Sequence, residues 1–153
     1  MSKNNKRRRP QRKSFPWAFV VIGGALLIVA FLFANRSADA GGTPSIAVDQ
    51  QKIDFGYVKL GEYRSFKIKV TNTGTGTLRF KETPYIEVLK GCCQPNLTVT
   101  AMAIKPGQSA YVESPDFMMH QGMDGPHNFA VHLKTNDSKH PDQIVHVLSD
   151  WGP

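Results

Sequence analysis

Cysteine is scarce in this sequence: there are two in 153 residues, and they are neighbours, Cys92 and Cys93. Consecutive Cα atoms lie ~3.8 Å apart, whereas disulfides usually span about 4.4 Å or more, so the pair makes a poor structural bridge. Acid is missing from residues 1–13, which hold Lys3, Lys6, Arg7, Arg8, Arg9, Arg12 and Lys13. Removing these seven from the 19 basic residues leaves 12 against 12 acids, so the formal charge of +7 belongs to the tail. The rest of the chain offers no basic face, which argues against a nucleic-acid partner. No Gly-x-Ser-x-Gly, His-Glu-x-x-His, phosphate loop or dinucleotide fingerprint is present, so the usual enzyme signatures are excluded. With 41% hydrophobic residues the chain has enough apolar material for one folded domain, which excludes disorder throughout.

Charge is also absent from Phe15 to Ala34. At about 1.5 Å per residue, such a run crosses a hydrocarbon core of roughly 30 Å, and it predicts a single transmembrane helix over 14–34. The basic cluster on its N-terminal side places residues 1–13 in the cytoplasm, and Trp17 stands where an interfacial aromatic anchors such a helix. Ala38-Asp39-Ala40 has the small-x-small form of a cleavage site. A cleaved signal peptide is thus the alternative, although its apolar region is usually only about 7–15 residues long. Either arrangement puts the remainder outside the cytoplasm. Residues 35–44, rich in small and polar types with Gly41, Gly42 and Pro44, read as a flexible linker, and the folded domain is expected over 45–153.

That domain has no sustained 3.6-residue periodicity. Period-two alternation recurs instead, as in Arg64 to Thr71, where Phe66, Ile68 and Val70 share one face and Lys67 and Lys69 the other. Further strands are expected at Ile46–Val48, Ile53–Val58, Leu78–Phe80, Ile86–Leu89, Leu97–Ala101, Ala110–Glu113, Phe129–Lys134 and Gln143–Leu148. Short strands with frequent turn signals predict an all-β sandwich of about seven to nine antiparallel strands. Its core is expected to hold Phe55, Phe66, Ile68, Val70, Leu78, Phe80, Val99, Val112, Phe129, Val131 and Leu133. His132 and His146 alternate with apolar residues, which predicts solvent-facing side chains or cross-strand pairs, and His140-Pro141 reads as a turn.

Four motifs fall in order: Ile53-Asp54-Phe55-Gly56-Tyr57-Val58 with Gly61-Glu62; Val70-Thr71-Asn72-Thr73-Gly74 with Leu78; Ile104-Lys105-Pro106-Gly107-Gln108; and Leu133-Lys134-Thr135-Asn136-Asp137. Together they resemble the bacterial immunoglobulin-like family of unknown function related to the ASH (hydin-like) domains, over about residues 46–149. The resemblance implies an Ig-like sandwich, export, and no catalytic activity. Two segments depart from the family pattern. Many relatives carry Cys-x-Cys where this chain has Gly91-Cys92-Cys93-Gln94-Pro95, and Phe117 to His127 has no counterpart in the pattern.

Those two segments hold the candidate site. Three of the five methionines and two of the five histidines lie within Met118 to His127. Thiolates and thioethers are soft ligands that favour Cu(I), and imidazole also binds copper, so Cys92, Cys93, Met118, Met119, His120, Met123 and His127 form a chemically coherent set. Zinc would leave the methionines unexplained. The competing explanation is structural, with Met118 or Met119 plugging the end of the sandwich. The strand order supports a shared site, because the segment after the cysteines runs away and returns to the same pole. The sequence thus describes a membrane-anchored, extracytoplasmic, non-enzymatic module that takes a Cu(I) ion, or else an interaction or envelope-scaffold module of the same fold without metal. A thiol oxidoreductase fits less well, since no Cys-x-x-Cys on a βαβ pattern is present.

Overall fold

The structure is a computed structural model that describes residues 41–153. The basic tail 1–13, the expected anchor 14–34 and linker residues 35–40 lie outside the described residues. Among the described residues no helix is long and apolar enough to cross a membrane.

Ten strands build the domain: β1 Ile46–Val48, β2 Lys52–Lys59, β3 Arg64–Asn72, β4 Leu78–Arg79, β5 Tyr85–Lys90, β6 Thr98–Val99, β7 Ala103–Ile104, β8 Ser109–Phe117, β9 Gly125–Lys134 and β10 Asp142–Gly152. They pair into one sheet of order β1-β3-β8-β6, a second of order β2-β10-β9-β5, and a small β4-β7 pair. Each strand expected from alternation is found, although Leu97–Ala101 shortens to the two residues of β6, and β7 at Ala103–Ile104 is not among those expected. The expectation of a wholly antiparallel sandwich fails at one ladder, since β10 runs parallel to β2. The cause is that β1 and β2 act as one edge segment that changes sheets over Asp49 to Gln51. β1 is antiparallel to β3, and β2 continues in its direction on the other sheet.

The core gathers the inward positions of both sheets. Phe66, Ile68, Val70, Leu78, Phe80, Val112, Phe129, Val131 and Leu133 are buried as the alternation predicts, and Phe55 and Val99 pack against them half-buried. Ile46, Val58, Ile104, Val145, Val147 and Trp151 complete it. Phe117 closes one end through edge contacts with Phe55 and Phe66, each with ring centroids 6.2 Å apart.

Two buried polar side chains fasten the other end. Asp137 accepts the backbone N–H groups of Ile46 at 2.9 Å, Lys139 at 2.8 Å and His140 at 3.3 Å, so one carboxylate ties the first strand to the β9–β10 turn. Burial alone would raise its pKa, but these donors and the His140 imidazole outweigh it and lower it. Asn72 is fully buried and donates to the Gly76 and Ile104 carbonyls at 2.7 and 2.9 Å, while its own oxygen accepts from Gly74 N–H at 3.0 Å. The domain also begins earlier than Ser45. Thr43, placed in the flexible linker, exchanges hydrogen bonds with Thr75 on the turn after β3, at 3.1 Å to its hydroxyl and 2.9 Å from its N–H.

On the outer face of the second sheet, His132 is a cross-strand residue and is buried. Its Nδ1 meets Asp142 at 2.9 Å and its Nε2 meets Glu87 at 3.0 Å, and Tyr85 stacks on the ring at 4.8 Å. His146, by contrast, is exposed. Burial disfavours charge on His132, yet the two carboxylates prevail and raise its pKa above the ordinary histidine value. A raised pKa in the folded state stabilises the fold fully below the unfolded value of about 6.5, and the gain is lost as pH climbs through the folded pKa. The wild type should therefore exceed His132→Gln in melting temperature by more at pH 6 than at pH 8.5. Thermal melts of both at the two pH values check this, and an equal or reversed difference contradicts it.

Candidate functional site

At the pole opposite Asp137, β5 ends at Lys90, which pairs with Asn128 of β9. The chain then turns sharply through Gly91, whose φ is 86°. A Cβ at Gly91 would stand 2.4 Å from the Cδ2 carbon of His127, so the backbone lies directly against the imidazole and only glycine fits. Cys93, at φ 60°, is the one non-glycine residue with a left-handed backbone among the described residues. Such a conformation costs an L-residue roughly 1–2 kcal/mol, so the two cysteines are held in a bend that the sequence would not adopt unaided.

His127 stands on β9 in step with Phe129, Val131 and Leu133, and therefore points inward. It is 3% exposed, and its ring meets Phe129 edge-on at 5.9 Å. Its Nδ1 lies 3.0 Å from the Gly125 carbonyl. A carbonyl only accepts, so Nδ1 donates to it. Nε2 faces the Cys92 sulfur at 4.0 Å. Both cysteines are free thiols, Cys92 half-buried and Cys93 exposed. The Cys93 side chain hydrogen-bonds Cys92 and, together with burial, raises the Cys92 thiol pKa above its usual value. A groove of about 330 Å³, lined by Asp54, Lys90, His127, Asn128 and Asp150 among others, opens beside the imidazole.

The seven residues expected to converge on one ion do so only in part. The Met/His loop does return to the cysteine pole, but Cys92 and His127 are the members it brings together. Met119 is 1% exposed and belongs to the hydrophobic core, so its thioether is committed to packing. Met123 packs against that core half-buried, Met118 is half-buried, and His120 is exposed, its carbonyl accepting the Met123 N–H at 3.0 Å in a turn. Among the described residues no three His, Cys, Asp or Glu side chains form a group ready to hold a metal ion. The role of Gly91 was missed in the sequence, although the parity of His127 with Phe129 already signalled an inward imidazole.

Two facing four-stranded sheets, of orders β1-β3-β8-β6 and β2-β10-β9-β5, define the class of protein: an immunoglobulin-like domain. The HYDIN/CFA65/VesB-like Ig-like domain family matches residues 44–148, and the chain belongs to it. No curated protein matches the chain. Among solved structures, a protein of unknown function from Porphyromonas gingivalis W83 is 20% identical with a TM-score of 0.56, over 76% of this chain and 50% of its own. The secreted serine protease VesC from Vibrio cholerae is 15% identical with a TM-score of 0.52, over 72% of this chain and 24% of its own. The chain thus spans about half the length of the first of these and a quarter of the second, and the likeness is one of fold.

The site makes one stability comparison available. Gly107 also has positive φ, 74°, but a Cβ there meets nothing within 4 Å. Gly107→Ala should cost about 1 kcal/mol, the backbone term alone, and Gly91→Ala about 2–4 kcal/mol because the imidazole must also move. Urea denaturation of both variants measures the difference, and equal costs would mean that Gly91 is not packed on His127.

Proposed function

We propose that the chain is a membrane-anchored, extracytoplasmic, non-enzymatic Ig-like binding module that takes a soft metal ion, Cu(I), between Cys92 and His127, with Cys93 as a third donor. The observation that carries the reading is the 4.0 Å separation of the Cys92 sulfur and His127 Nε2, with Nδ1 already tied to a backbone carbonyl. Metal-binding histidines use one nitrogen on the ion and anchor the other in this way. Metal–sulfur and metal–nitrogen bonds of ~2.3 and ~2.0 Å put the two donors about 4.3 Å apart on a straight line through the ion and roughly 3.5 Å apart at a tetrahedral angle. The observed distance lies between them, so the two side chains are near enough to share one ion. Met118, Met119, His120 and Met123 are not needed in this set. The likeness to a secreted protease brings no catalysis with it, because it covers so little of that enzyme.

Anchoring rests on the charge-free run and the one-sided basic tail. Protease added to intact cells should degrade residues 35–153 and spare the tail, and a protected domain reverses the topology. For the ion, an anaerobic titration of the purified full chain against a chromophoric Cu(I) chelator is decisive. Cys92→Ser and His127→Ala should each weaken binding by about 10–100-fold or more, with Met123→Leu unchanged. Wild type that takes up no more Cu(I) than a Cys92→Ser/Cys93→Ser double variant rejects the site.

A second reading, a protein-interaction module without metal, is favoured by a different observation. Tyr57, Tyr63 and Leu89 are 59%, 60% and 48% exposed, and all three lie toward the cysteine pole. Exposed aromatic and aliphatic residues are over-represented where proteins dock.

A further inference from the structure

The two thiols of the chain are neighbours in unlike settings. Cys92 is half-buried, with the His127 imidazole 4.0 Å from its sulfur and the Gly91 backbone packed on the same ring, so protein covers its inner side. Cys93 is exposed, hydrogen-bonds Cys92 and holds a φ of 60°. A left-handed backbone is costly for an L-residue, and strain of this kind, once observed, points to a working site. A disulfide between the two would join Cα atoms ~3.8 Å apart, below the usual ~4.4 Å, and bridges strained in this way are the ones most easily reduced again. The pair is unsuited to a lasting structural bridge and suited to one that opens and closes.

We propose that Cys92 and Cys93 form a reversible thiol-modification site for low-molecular-weight disulfides, in which Cys93 attacks first and Cys92 closes the bond. In the first step the Cys93 thiolate, its proton lost to water, attacks one sulfur of the small disulfide. That disulfide breaks, a mixed disulfide forms on Cys93, and one small thiolate leaves and takes up a proton from water. In the second step the Cys92 sulfur attacks the Cys93 sulfur, the mixed disulfide breaks, and the Cys92–Cys93 bond forms. The second small thiol leaves with the Cys92 proton. Two protein thiols are thus oxidised while one small disulfide is reduced to two thiols. The order follows from exposure, because a reagent in solvent reaches Cys93 while His127 and Gly91 close off the inner side of Cys92. Burial and the Cys93 contact also raise the Cys92 pKa, which holds its proton in place until the second step. The domain is the acceptor of this oxidation and turns nothing over. No metal enters either step, so the inference stands apart from the Cu(I) reading.

The test takes the full chain, reduced and stripped of metal with a chelator, and adds excess oxidised glutathione. Samples blocked with iodoacetamide at intervals are weighed intact by mass spectrometry. Wild type should lose both alkylatable thiols, hold no glutathione at the end point, and recover both thiols with dithiothreitol. Cys92→Ser should stop with one glutathione on Cys93, and Cys93→Ser should react at least about tenfold more slowly, since its remaining thiol is the half-buried one. Wild type that keeps both thiols, wild type that holds glutathione without closing the pair, or equal rates in the two single variants each overturns the proposal. Copper is absent from every arm, so a failed Cu(I) titration leaves this result standing and a failure here leaves the titration standing.

Discussion

A carboxylate with almost no water around it stands where the first strand of one sheet meets the last hairpin of the other. An ionised group buried in this way is costly unless its lone pairs are used, and Asp137 uses them on the backbone N–H groups of Lys139 and His140 in its own turn and of Ile46, 91 residues away. The two sheets can therefore close at that end only in one relative position. Asn72 repeats the arrangement with a neutral amide, tying the β3 end to the β4 and β7 pair. With one pole locked by buried polar groups, the strands carry a definite register to the other, where Gly91, Cys92 and His127 meet. The thiol is placed beside the imidazole by the β5–β9 ladder, where Lys90 stands opposite Asn128 and Gly91 lies against the His127 ring.

This division of labour accounts for two of the four ordered motifs. Thr71-Asn72-Thr73-Gly74 and Thr135-Asn136-Asp137 serve the locked pole, where Asn136 also accepts the Arg79 N–H at 2.8 Å. They belong to the fold. The cysteine turn and His127 lie in the two segments that depart from the pattern, beside Asp54 and Gly56 of the first motif. A domain whose architecture is secured at one end is free to vary the chemistry at the other.

Much of the fold was legible because a half-buried strand writes its register into the sequence. Phe66, Ile68 and Val70 against Lys67 and Lys69 admit one orientation only. The parallel β2–β10 ladder was not legible, since it follows from a change of sheet at Asp49 to Gln51 that alternation cannot express. The site was legible in part. Composition drew attention to Met118 through His127, but softness of a donor says nothing of where its side chain points. Met119 was claimed by the core, where a flexible thioether fills space well, and His120 by solvent. Only His127 had a strand parity that aimed it at the cysteine turn. The clamp on His132 by Glu87 and Asp142 was hidden as well, because its partners come from strands 45 and 10 residues away.

The sheet change of the first strand has one more effect. Because β1 borders one sheet and β2 the other, a single chain segment supplies one edge strand of each. The edge strands of the two large sheets are thus β1 and β6, three and two residues long, and β2 and β5, which carry charged residues such as Lys52, Asp54, Glu87 and Lys90 and each lose register against their neighbour. Short, charged and kinked borders give an incoming strand no flat ladder to extend, which guards a sheet protein against aggregation.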